Sequence, residues 1–193
     1  MSYKLIYSGP LLFKTKISNT DIKKIDFLCE RDVKLDTRKD LAGLIDEEFL
    51  IKDTKTLSKI ITPYLELFKQ GYEHWYAASF PKKVELLKGW VNYMKPGECN
   101  PPHIHLKCNF SSVLYLSLPK NLKKESESSI SSLSKPGQIC FNFSPAIKGN
   151  IYFYNYLPEV GDFFIFPNTL THSVNSFKSK GERVSVSMNF NIE

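Results

Sequence analysis

From about residue 84 onward this chain is a series of short aromatic and β-branched runs separated by turn residues, with no helical pattern between them. The runs lie at 87–94, 103–107, 112–118, 138–143, 150–154, 162–166, 172–175 and 183–192. Strands that follow one another without crossover helices must pair antiparallel, because a parallel partner needs a connection long enough to run back along the sheet. A mainly β fold follows, an antiparallel sandwich or jelly roll, over residues 84–193.

The first 80 residues read differently. An initial strand or two is expected over 3–16 around the Gly9-Pro10 break, and Asn19-Thr20-Asp21 opens a helix running to about Glu30. Residues 41–50 form a second, shorter candidate helix. The clearest helix begins near Thr54, where Leu57, Ile60, Ile61, Tyr64, Leu65 and Phe68 recur at helical spacing, and it continues to about Tyr76. These helices are expected to support the sheet, His74 near the end of the last being structural or surface. At 193 residues the chain reads as one domain, 1–193, able to bury a core without disulfides. Residues 120–136 interrupt the β pattern with six serines between 126 and 134, which reads as a mobile Ser/Lys-rich loop, either a plain insertion or a lid.

Several function classes are disfavoured. No apolar run could span a membrane, and Met1-Ser2-Tyr3-Lys4 opens no signal peptide, so a cytoplasmic protein with no membrane partner is expected. Cys29, Cys99, Cys108 and Cys140 make no CxxC pair and read as reduced thiols. The net charge of +6 is spread along the chain in pairs such as Lys23-Lys24 and Lys123-Lys124, a solvated surface in preference to a nucleic-acid footprint.

Chemistry concentrates in three of the four histidines. His103 and His105 stand two apart on a candidate strand, where i and i+2 share a face, so their imidazoles point the same way. His172 follows on a distant strand after a turn, and Arg183 comes 11 residues later. Non-haem iron oxygenases hold the metal on one face by three protein ligands and leave the other positions open. The planar fork of Arg183 suits the remote end of a dicarboxylate.

The segment from about Lys88 to Asn191 resembles the 2-oxoglutarate and iron(II)-dependent dioxygenases. It is most similar to the small bacterial and phage members and more distantly similar to prolyl hydroxylases. The resemblance rests on Trp90-Val91-Asn92-Tyr93, Pro102-His103-Ile104-His105, Ser112-Val113-Leu114-Tyr115-Leu116, the stretch from Gly161 to Pro167 with His172, and Arg183-Val184-Ser185. It implies a double-stranded β-helix and an enzyme, a hydroxylase coupling oxidative decarboxylation of 2-oxoglutarate to C–H oxidation. It also implies Fe(II) on His103, His105 and His172, with 2-oxoglutarate on Arg183 and Tyr115 and weaker contacts from Ser185 and Tyr93. The family pattern is His-x-Asp or His-x-Glu, so His105 replaces a carboxylate; Glu98 or Asp162 could substitute, although ordinary turn roles are favoured for both.

Other readings are a structural zinc site on Cys99, His103, His105 and Cys108, a three-histidine cupin-type iron dioxygenase without 2-oxoglutarate, and a non-catalytic metal-binding jelly-roll module. The substrate, a small molecule or a peptide, is not written in the sequence, nor is the oligomeric state. Phe141, Phe143, Tyr152, Tyr154 and Tyr156 read as core packing in preference to a pocket lining.

Overall fold

In a computed structural model of the chain, residues 9–81, 83–143 and 152–193 are described. The fold is mainly β and antiparallel, as the spacing of the short runs requires. Ten strands are described: β1 (Phe13–Lys16), β2 (Glu48–Leu50), β3 (Val84–Met94), β4 (Asn100–His103), β5 (Phe110–Ser117), β6 (Ile139–Asn142), β7 (Phe153–Tyr156), β8 (Asp162–Pro167), β9 (Thr171–Val174) and β10 (Arg183–Ile192). They form a six-stranded sheet in the order β1-β8-β5-β10-β3-β2 and a four-stranded sheet in the order β4-β9-β6-β7.

Strand β10 organises the large sheet, pairing with β3 on one side and β5 on the other. Its alternation is polar on one face and apolar on the other. Val184, Val186, Met188 and Phe190 join the outer hydrophobic cluster, whereas Arg183, Ser185, Ser187 and Asn189 line a cavity between the sheets. A strand whose two faces meet different environments must alternate in this way, and the pattern fixes its register. Met94, Val113, Tyr115, Phe164 and Phe166 of the large sheet share the inner cluster with Ile139, Phe141 and Val174 of the small one.

Two helices cover the outer face. Helix α1 (Asn19–Phe27) is capped by Ser18, whose hydroxyl accepts the Asp21 N–H, and buries Ile22 and Ile25. Helix α2 (Thr54–Tyr76) is capped by Asp53, which accepts the Thr56 N–H, and buries Leu57, Ile61 and Phe68. Phe68 meets Phe13, Tyr72, Phe80 and Phe110 edge-on. Gly89 of β3 permits the approach of α2, since a Cβ there would lie 2.8 Å from Leu57 Cδ2. No described helix is long and apolar enough to cross a membrane.

Three expectations change. Residues 41–50 are not a helix: a 3₁₀ turn at Arg38–Asp40 leads into β2, which pairs with the edge of β3. Ile45 and Phe49 stand four apart because they serve opposite clusters, Ile45 the inner and Phe49 the outer. Residues 120–136 contain helix α3 (Leu122–Glu127), which buries Leu122 and Ser126, while Glu125 accepts the backbone N–H groups of Lys178 and Ser179 at 2.7 Å each. None of these residues lines the central cavity, which favours an insertion over a lid. The strand expected at 103–107 ends at His103. Parts of the expected runs at 3–16 and 150–154 lie outside the described residues; the described parts give β1 and the start of β7.

Leu57 is fully buried at the contact between α2 and the sheet. Leu57→Ala is expected to cost about 3 kcal/mol, within the usual range of about 2–5 for such truncations, in urea unfolding followed by circular dichroism. A loss below about 1 kcal/mol would separate the helix from the cooperative core.

Candidate metal centre

The three histidines are brought together by backbone pairing. Strands β4 and β9 run antiparallel with His103 directly opposite His172. His172 alternates inward on β9 with Val174. His105 lies beyond the end of β4, and Asn168 grips its backbone twice: the His105 N–H donates to the Asn168 carbonyl at 2.9 Å, and Asn168 Nδ2 donates to the His105 carbonyl at 3.0 Å. Exposed Pro102, Ile104 and Leu106 alternate with the more buried His103 and His105. The two imidazoles do share a side, held there by a loop clamp in place of a ladder. Lys107, at φ 61°, ends the run.

Ligand atoms of His103, His105 and His172 all lie within 4.8 Å of one another, spacing that could hold a metal ion. His103 Nδ1 is 2.7 Å from the Pro101 carbonyl and His172 Nδ1 is 2.9 Å from the Leu170 carbonyl. A carbonyl can only accept, so both Nδ1 atoms carry the proton and both Nε2 atoms present a lone pair. This is the arrangement by which carbonyls orient metal-binding imidazoles. Nε2 of His105 is 3.2 Å from Nε2 of His172. Burial holds His105 and His172 neutral, with pKa values near 3, and the neighbouring His103 pushes them the same way. Burial also lowers His103. Neutral imidazole is the form that binds metal.

Facing the imidazoles is a cavity of about 470 Å³. The large sheet supplies Lys88, Trp90 and Asn92 from β3 and Arg183, Ser185, Ser187 and Asn189 from β10. Trp90 lies beside His105, ring centroids 5.8 Å apart. Arg183 is only 2% exposed. Its Nη2 donates to Tyr115 Oη at 3.1 Å, its Nη1 approaches Met94 Sδ at 3.9 Å, and its Nε has no acceptor among the described residues. Burial lowers its pKa, while the Tyr115 hydroxyl works in the opposite direction. Among the described residues no carboxylate lies within ion-pair distance of this guanidinium.

The predicted residues therefore divide. The histidines, Arg183 and Ser185 line one cavity, and Tyr115 lies behind Arg183, fully buried with its pKa raised by burial to about 12. Tyr93 does not join them. As β3 alternates, Tyr93 points to the opposite face of the sheet, where its hydroxyl donates to the Cys29 carbonyl at 3.2 Å and Arg31 stacks on its ring at 3.8 Å. Glu98 accepts the N–H groups of Lys95 and Asp46, and Asp162 accepts the Glu159 N–H and pairs with Lys14. Both carboxylates do turn work. Cys108 packs against Ser111, 3.6 Å away, and neither Cys99 nor Cys108 joins the ligand-spaced cluster. His74 is on the exposed end of α2. Phe141 packs on His172, and Tyr156 on Phe164, as core aromatics.

Sequence reasoning missed Glu48. This residue is fully buried at the cavity wall, and neither carboxylate oxygen has a partner among the described residues. Read as part of a helix, it had no assigned face; only its pairing with Asn92 across the β2–β3 ladder turns it inward. Burial, then repulsion from Glu98, lift its pKa to about 7, with Asp36 adding to the shift and Arg38 opposing it.

The family model described as "Putative 2OG-Fe(II) oxygenase" matches residues 88–189. No curated protein sequence matches the chain. Among solved structures, a prolyl-4-hydroxylase from Pseudomonas putida aligns over 94% of this chain and 92% of its own, at TM-score 0.60 and 15% identity. A viral collagen prolyl hydroxylase from Paramecium bursaria Chlorella virus-1, in its 2OG complex, aligns over 93% of this chain and 94% of its own, at TM-score 0.59 and 13% identity. HygX from Streptomyces hygroscopicus, with nickel, 2-oxoglutarate and hygromycin B bound, aligns over 95% and 83% at TM-score 0.52 and 10% identity. At these identities the likeness is one of fold.

The raised pKa of Glu48 has a signed consequence. Ionisation is harder in the folded chain than in the unfolded one, so stability is lost as pH rises from the ordinary value of 4.5 to about 7 and is then level. Glu48→Gln removes that loss. Urea unfolding should show the variant equal to the parent near pH 4 and more stable near pH 8, by a few kcal/mol; a difference that does not change with pH would refute the assignment.

Proposed function

The chain belongs to the 2OG-Fe(II) oxygenases, enzymes that use iron(II) and 2-oxoglutarate, and on that premise we propose that His103, His105 and His172 hold the iron while Arg183 holds the distal carboxylate of 2-oxoglutarate. The observation that carries this reading is the state of Arg183. An isolated charge removed from water costs several kcal/mol unless it is paired. Here a buried guanidinium faces a cavity and, among the described residues, has only a phenol and a thioether as side-chain partners. A dicarboxylate entering from the metal side supplies the missing charge, and the planar fork can bind it bidentately. Tyr115 positions the guanidinium from behind, and Ser185, next inward position on β10, offers a hydroxyl to the same ligand.

The donor set fits an iron ion: three neutral imidazoles, two held by carbonyl acceptors in the tautomer that frees Nε2. Bound together, iron and 2-oxoglutarate supply oxidative decarboxylation coupled to oxidation of a C–H bond, and hydroxylation is the proposed outcome. The chain's own residues orient and exclude water. Trp90 covers His105, while Val113, Ile139, Phe166 and Val174 give the cavity an apolar floor. With imidazole in place of a carboxylate the site is one negative charge poorer, which strengthens its attraction for a dianionic cosubstrate. A cupin-type dioxygenase that uses no 2-oxoglutarate would have no use for Arg183.

Two variants test the assignment. His172→Ala should lose iron(II) in anaerobic calorimetric titration, and with it iron-dependent succinate formation. Arg183→Met should keep the metal while its affinity for 2-oxoglutarate falls by at least ~10-fold, about 1.4 kcal/mol or more. Equal 2-oxoglutarate affinity in Arg183→Met and the parent would overturn the cosubstrate assignment.

A further inference from the structure

Adjacent residues Glu47 and Glu48 have opposite fates. Glu47 faces outward and pairs with Arg31 and Lys95 at 2.5 Å each. Glu48 faces the cavity and pairs with nothing among the described residues, although Lys39 and Lys88 line the same space. Its neighbour across the ladder, Asn92, is 5% exposed, and its Nδ2 donates to the Ser185 carbonyl at 3.3 Å and the Ser187 hydroxyl at 3.2 Å. The Ser185 carbonyl can only accept, so the amide orientation is fixed and Oδ1 is the atom left over. Among the described residues no donor reaches Asn92 Oδ1, nor the Oδ1 of Asn100, which borders the same cavity.

Glu48, Asn92 and Asn100 thus border one cavity, and among the described residues no donor reaches either Glu48 oxygen or the Oδ1 of either amide. Buried acceptors left unmet are costly, and a carboxylate most of all. One hydroxyl offers a single donor, whereas an ammonium offers three and a guanidinium five, with a charge to match the carboxylate. The oxygens of Glu48 are not part of the ligand-spaced histidine cluster, so the metal does not account for them.

We propose that Glu48, with the carbonyl oxygens of Asn92 and Asn100, is the specificity site of this enzyme, and that its substrate presents an N–H-bearing organic cation, an alkylammonium or a guanidinium, to that site. Calling the occupant a substrate rests on the oxygenase reading of the same cavity; the cation preference does not. The cavity is polarised, with the buried cation Arg183 at one end and, one inward position along and across Asn92, the buried anion Glu48. An anionic cosubstrate and a cationic substrate are thereby directed to different strands of the wall, β10 for the one and β2 for the other. Glu48 lies outside residues 88–189, on an N-terminal strand that completes the wall. Gly43 leaves room for the carboxylate, since a Cβ there would lie 2.8 Å from Glu48 Oε1.

The test is an NMR titration of the full chain, loaded with zinc(II), with n-butylammonium, n-butylguanidinium and 1-butanol as probes. The parent should bind at least one cation ~10-fold or more tighter than the alcohol, with shifts in the Asn92 side-chain amide, and the two cation arms show which head group the site takes. Glu48→Gln should abolish that preference, and Gly43→Ala, which keeps the charge but displaces the carboxylate, should weaken it even if Glu48→Gln fails to fold. Cations bound no better than the alcohol, equal binding in parent and Glu48→Gln, or shifts confined to another surface would each sink the proposal. Titrating 2-oxoglutarate in parallel separates the two readings: cosubstrate binding without cation preference removes only the Glu48 site, and cation preference without cosubstrate binding removes only the Arg183 assignment.

Discussion

The antiparallel pairing of two four-residue strands, β4 and β9, is the constraint on which the site depends, because it sets His103 opposite His172. Neither strand could hold this register alone, since short ladders are weak and one-residue slips exchange faces. The register is pinned from outside. His172 also lies opposite Phe141 of β6, and Phe141 is fully buried against Phe164 and Phe166 of the large sheet. The inner hydrophobic cluster therefore does more than bind the two sheets together: it fixes the depth at which the imidazoles stand.

The large sheet meets that cluster with an opposite logic. Four polar residues in alternation on β10 face a cavity, and four apolar ones face the helices. Burying Arg183, Ser185, Ser187 and Asn189 is unfavourable in itself, and the outer face offsets it: Val186 and Met188 are fully buried under α1 and α2 together with Ile25, Leu57 and Ile61. The N-terminal helices are thus tied to the site energetically, although they contribute no residue to it. They stabilise the strand that carries the polar wall.

This division explains how much could be read from the chain. The long strand β10 and helix α2 have periodicities that survive in the sequence, since each presents one continuous face to one environment. The convergence of His103, His105 and His172 was legible because it is local parity plus one family pattern. His105 was placed correctly for an incomplete reason, as the Asn168 clamp belongs to no ladder and leaves no periodic trace. Tyr93, expected at the cosubstrate by resemblance alone, lies on the other face: each parity of Trp90-Val91-Asn92-Tyr93 contains an aromatic, and only pairing with β10 shows that Trp90 and Asn92 are the inward pair. Ile45 and Phe49 mimicked a helix by serving two cores from one loop and a short strand. Glu48 went unseen for the same reason.

Charge gives the site its remaining structure. If, as proposed, His105 takes the place of the carboxylate in a family pattern of two histidines and a carboxylate, the centre has more positive charge, and burial suppresses the alternative of protonating the imidazoles. On the proposed reading the cavity then contains a dication and Arg183 on one side, and Glu48 as a buried carboxylate with no partner among the described residues. Two positive groups attract a dianion and repel a cationic substrate, so such a substrate requires a separate anionic anchor set to the side of the metal. An acidic ligand at position 105 would supply negative charge at the metal itself; with histidine there, the proposed reading puts the carboxylate on β2 instead, where it would act on the substrate without entering the coordination shell.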